Sequence, residues 1–124
     1  MKKKLLLPVL AFVLIASFGG GCYYDVESEL YGMNCDTTGT KYSTNISAII
    51  SNYGCLACHA GGNPSGGINL ENHANLKLSV NNGKLMGSIS HASGFIPMPD
   101  GAAKMNQCDI NRIKAWIAAG APDN

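Results

Sequence analysis

Cys55-Leu56-Ala57-Cys58-His59 is a C-x-x-C-H run, the pattern by which c-type haem is attached to a polypeptide. Two thiols at this spacing can each bond one vinyl carbon of the same porphyrin, giving two thioethers. A histidine directly after the second cysteine is held beneath the iron, where an imidazole nitrogen serves as proximal ligand. Each residue has its own task, so the chemistry constrains the spacing. Two other chemistries use the same cysteines: C-x-x-C is also the core of redox dithiols and half of many zinc sites. A thioredoxin-like dithiol needs a βαβ context, and none is visible in this chain. A zinc site needs a fourth ligand, which His73 or His91 can supply.

Upstream of the motif, Met1-Lys2-Lys3-Lys4 is a positive n-region and residues 5–18 are a mostly apolar h-region. That run is too short, and too near the start, for a comfortable membrane span. Gly19-Gly20-Gly21-Cys22 follows and looks like a bacterial lipoprotein cleavage site, with Gly19 standing where such sites carry Leu or another aliphatic residue. The expectation is a lipoprotein-type signal peptide over 1–21 and a lipid on Cys22 that anchors the chain to the periplasmic side of a bacterial membrane. Plain signal-peptide cleavage is the alternative. Attachment of c-type haem takes place on that side of the plasma membrane, so the export signal and the haem motif agree.

The length of 124 residues fits one small domain plus a leader. Fifteen glycines and five prolines predict long irregular loops. A domain of this size builds only a modest core. A porphyrin would be part of that core, and the chain without it is expected to be poorly folded. Lys2, Lys3 and Lys4 fall in the leader, so the rest has six basic against eight acidic residues, a balance near −2. No clustered basic face points to nucleic acid.

Residues 22–42 lack a long apolar period and contain Tyr23, Tyr24, Tyr31 and the turn formers Gly32, Thr37, Thr38 and Gly39. They are expected as a tether, with residues 43–124 as the domain. Ile46, Ile49, Ile50 and Tyr53 form one apolar helical face. Ser43, Thr44 or Asn45 can cap that helix, and Gly54 can stop it. Residues 60–67 are a Gly-rich loop, and a carbonyl near Pro64 is expected to accept the Nδ1–H of His59. Asn72 can cap a short helix over 73–80 with Leu76 and Val80 inward, ended by Asn81-Asn82-Gly83. Leu85, Met86 and Ile89 predict a further turn or two before His91. Pro97 and Pro99 flank Met98 and forbid regular helix there, holding a thioether on a stiff segment. Asn106 caps the last helix, with Asp109 in its first turn, an apolar face of Ile110, Ile113, Trp116 and Ile117, and Gly120 and Pro122 as its end.

A helix ending in Cys-Leu-Ala-Cys-His, a Met-Pro loop, and a C-terminal helix carrying Trp116 together resemble the class I cytochromes c. The likeness is strongest to small, membrane-anchored lipoprotein cytochromes with a Gly-rich stretch after the haem histidine, and it covers residues 42–122. It implies an all-α fold of the small class I cytochrome c kind, with helices packed around one covalent haem. It also implies Cys55 and Cys58 as attachment points, His59 as proximal and Met98 as distal iron ligand, and electron transfer rather than catalysis. The short middle region departs from larger cytochromes, which bears on the packing at the methionine side.

Other residues compete with Met98 for the sixth position. Met86 lies in an apolar run and reads as core packing. Met105, just before a helix cap, is a rival. His91 precedes the methionine loop and would give a bis-histidine centre of lower potential. With Cys22 taking lipid and Cys55 and Cys58 taking haem, Cys35 and Cys108 are left over. In an oxidising compartment such a pair forms a disulfide, two free buried thiols being the alternative.

The leading expectation is a periplasmic one-electron carrier, not an enzyme, using one haem c with His/Met ligands. It would be monomeric, anchored by lipid, and would exchange electrons with donor and acceptor redox proteins. Two readings stand beside it. One is a haem domain with an open or exchangeable distal site, acting as a sensor, peroxidase or oxidase-linked module. The other is a zinc-stabilised lipoprotein without a redox role.

Overall fold

The computed structural model describes residues 35–124. The expected signal peptide, the lipid-bearing Cys22 and residues 23–34 of the expected tether lie outside the described residues.

The described part is helical and contains no strand among the described residues. A π-helical turn over Tyr42–Ile46 runs without a break into α1, Ser47–Asn52. Two short 3₁₀ turns follow at Cys55–Ala57 and Ser65–Gly67. Then come α2, His73–Asn81, α3, Lys84–Ile89, and α4, Gln107–Ala118.

The apolar periods explain the packing. Ile46, Ile49 and Ile50 are buried on the first helical segment, and Ile110, Ile113 and Trp116 on α4. Leu76 of α2 and Leu85 and Ile89 of α3 complete one core with Leu70, Met105 and Ala121. Trp116, Ile46, Leu76 and Ile113 are its fully enclosed members. Tyr42 stacks on Trp116 with ring centroids 6.1 Å apart, and the His73 ring stands edge-on to both.

The helix ends follow local chemistry at α2 and α4. Asn72 accepts from the Asn75 N–H at 2.9 Å, and Asn106 from the Cys108 N–H at 2.7 Å. Gly54 ends the first helix in the left-handed conformation, at φ 67°. The start of that helix differs from expectation. None of Ser43, Thr44 and Asn45 caps it. Asn124 does so from the other end of the chain: its side-chain oxygen accepts from the Tyr42 N–H at 2.9 Å and its backbone oxygen from the Ser43 N–H at 2.8 Å.

The last residues of the expected tether, 35–42, are among those described. The described end of the tether belongs to the helical unit, because Cys35 is joined to Cys108 and Arg112 donates from Nε to the Asp36 carbonyl at 3.4 Å.

Candidate haem site

The site residues Cys55, Cys58 and His59 sit on one tight turn directly after the left-handed Gly54. The carbonyl of Cys55 accepts from the N–H of both Cys58, at 3.3 Å, and His59, at 3.0 Å. Neither thiol is paired in a disulfide; Cys55 is half-buried and Cys58 exposed. Burial pushes the Cys55 thiol above the usual thiol range.

The downstream segment folds back to hold the histidine. Leu70 is buried in the core, and its N–H donates to the His59 carbonyl at 2.8 Å. The Ser65 N–H donates to the Cys58 carbonyl at 2.8 Å. This return places the Ile68 carbonyl 3.0 Å from His59 Nδ1. The acceptor is therefore Ile68, not a carbonyl near Pro64. The loop runs on past Pro64, through Gly66 and Gly67 in left-handed conformations, before it turns back. A carbonyl can only accept, so Nδ1 carries the proton and the lone pair of the neutral ring lies on Nε2.

The other two histidines are spent elsewhere. His73 donates from Nε2 to the Ala121 carbonyl at 2.8 Å, and its Nδ1 lies 3.8 Å from Asp123 Oδ2. His91 donates from Nε2 to the Met98 carbonyl at 3.1 Å. Among the described residues, no three His, Cys, Asp or Glu side chains gather as metal ligands do. Neither His73 nor His91 is gathered with Cys55 and Cys58 into a group of three or more such side chains among the described residues.

The methionines separate by environment. Met105 is 4% exposed and part of the core, and Met86 packs against it from the edge. Met98 is half-buried on the segment after α3, outside any helix. Its peptide to Pro99 is cis. The adjoining Phe95 and Ile96 are the exposed large apolar residues of this segment, at 39% and 70%.

The donor set fits a c-type haem. It comprises two unpaired thiols on one turn, an imidazole whose Nδ1–H is taken and whose Nε2 is available, and a thioether outside the packed core. Cys35 and Cys108 are joined to each other, and Cys22 lies outside the described residues. Sequence reasoning missed the bond from His91 to Met98 and the tie of His73 to the C-terminal segment. A histidine seven residues before a methionine carries no local sign that the two will meet. No helix among the described residues is long and apolar enough to cross a membrane. Comparison with protein-family models, with curated proteins and with solved structures found no match to this chain.

Proposed function

We propose that this protein carries one haem c on Cys55 and Cys58, with His59 and Met98 as axial ligands, and serves as a one-electron carrier. The fold would be of the small class I cytochrome c kind, held by a lipid on Cys22 at the periplasmic side of a bacterial membrane. The observation that carries the reading is the bond from His59 Nδ1 to the Ile68 carbonyl, 3.0 Å long, beside two free cysteines in C-x-x-C-H order. A haem so bound supplies an Fe(III)/Fe(II) couple.

The chain's own residues set the terms of that couple. The Ile68 carbonyl fixes the plane and tautomer of the His59 ring and raises its basicity as a ligand. Met98 offers a soft, neutral sulfur, which favours a higher potential than a second imidazole would. Donor and acceptor proteins would dock through small, short-lived contacts.

The test is made on mature protein from a host that exports the chain and attaches haem. After acid–acetone extraction the colour is expected to stay with the polypeptide, and Cys55 and Cys58 to resist alkylation. A colourless product with both thiols alkylated overturns the proposal. Slow or absent carbon monoxide binding by the reduced protein at neutral pH is expected of a six-coordinate carrier. Rapid binding would assign the open-site function instead.

A further inference from the structure

The Met98 peptide is held on both sides by one short piece of chain. Its N–H donates to the Ser88 carbonyl at 3.0 Å, and its carbonyl accepts from His91 Nε2 at 3.1 Å. The same Ser88 carbonyl takes the N–H of His91 at 3.2 Å. Ser88 belongs to α3, which is seated in the core by buried Leu85 and Ile89. His91 itself has φ 55°, in the left-handed region that residues with a Cβ seldom occupy. Such backbones persist where their surroundings over-determine them, and they gather at ligand clamps. The acceptor is a carbonyl, so Nε2 of His91 must carry its proton and donate.

We propose that His91 is a positioning residue for Met98: its imidazole N–H holds the Met98 carbonyl and thereby fixes the peptide from which the thioether is presented. This inference rests on Met98 being the distal ligand. An external ligand can replace the sulfur only when the Met98 segment swings away, and the His91 bond opposes that movement. His91 thus works through the methionine and does not compete with it for the iron.

The experiment uses the haem-loaded protein and the variants His91→Phe, His91→Gln and Met98→Ala. Two signals are read on the ferric form: the methionine-to-iron charge-transfer band and the affinity for added imidazole. His91→Phe keeps a ring but loses the donor, and is expected to bind imidazole about fivefold to tenfold more tightly, the fold-change that one lost neutral hydrogen bond produces. His91→Gln restores an N–H at similar reach and is expected to stay within about twofold of the parent. Histidine tolerates this left-handed backbone better than phenylalanine or glutamine, so His91→Gln, which carries the added strain but keeps a donor, separates strain from the lost bond. Equal imidazole affinity in the parent and His91→Phe, with the band lost only in Met98→Ala, overturns the role of His91 alone. So does a His91→Gln variant as weakened as His91→Phe. A parent without the band, or a Met98→Ala variant that keeps it, removes Met98 as ligand and this proposal with it. Should His91→Phe not fold, the parent decides: a slowly exchanging His91 Nε2–H in the proton spectrum of the ferrous form is expected, and its absence overturns the bond.

Discussion

The hydroxyl of Tyr53 donates to Asp109 Oδ2 at 3.0 Å and accepts from the Asn106 N–H at 2.9 Å. It ties Tyr53, two residues before Cys55, to the start of α4. Burial raises the tyrosine's pKa above its ordinary value of 10.0; the Asn106 N–H opposes the rise and the Asp109 carboxylate reinforces it. The folded protein therefore holds this proton more tightly than the unfolded chain does. The contribution to stability is complete below about pH 10 and is lost as pH rises through the raised value. Tyr42 shares that direction, by burial and by the charge of Asp123. Tyr53→Phe is expected to lose about 1 to 2 kcal/mol at pH 7, for two hydrogen bonds. It should also lose less on going above pH 10 than the parent, with Tyr42 supplying the remainder. Urea unfolding at both pH values checks this. The apolar face of the first helix was legible from the spacing of Ile46, Ile49, Ile50 and Tyr53. The phenol's two partners were not, because they lie on a helix far away in sequence.

At the scale of elements, α3 and the segment after it behave as one piece. A Cβ placed on Gly87 would lie 2.4 Å from the Phe95 ring, so the ring rests on the bare face of that helix. The Gly87 carbonyl accepts from the Ala92 N–H at 2.9 Å, and Ser88 holds Met98. Gly87 is here for close approach, while Gly54 is at its position for left-handed backbone. Gly87→Ala is expected to push Phe95 off its seat and cost about 1 to 3 kcal/mol, the range for overpacking. Phe95→Ala in the same chain should recover part of that loss. Urea midpoints of the two variants against the parent give the measurement. Residues 84–89 read as a helix from Leu85, Met86 and Ile89, but a glycine inside a helix carries no sign of which ring will lie on it.

Across the whole molecule, the two ends of the described chain are fastened to the middle. The disulfide spans 73 residues and joins Cys35, the first described residue, to Cys108 of α4. Opposite it in sequence, the residues after α4 form a strap. Trp116 Nε1 donates to the Pro122 carbonyl at 2.9 Å, His73 to Ala121, Lys77 Nζ to Gly120 at 3.2 Å, and Tyr42 and Ser43 to Asn124. Closing so long a span constrains the unfolded chain. Replacing Cys35 and Cys108 together by Ser is expected to cost up to about 4 kcal/mol on a chain-entropy account. Denaturant unfolding of the double variant, beside the parent with and without reductant, checks it. Equal midpoints in all three would mean that the bridge contributes nothing to stability.

Periodicity and turn chemistry are local, and they were readable in the chain itself. The all-helical character, the caps at Asn72 and Asn106, the stop at Gly54 and the buried faces of α1 and α4 all follow from residues within a turn or two of each other. The tight turn that carries Cys55, Cys58 and His59 is local as well, following directly on the left-handed Gly54. Bonds between distant residues needed the folded chain. These include the Ile68 carbonyl on His59, the His91 ring on Met98, Asn124 as the cap of the first helix, and the docking of residues 35–42. Each depends on where a loop turns back, and that is set by which side chains the core accepts: Leu70 buried brings Ile68 to His59, and α3 seated on Leu85 and Ile89 brings Ser88 to Met98.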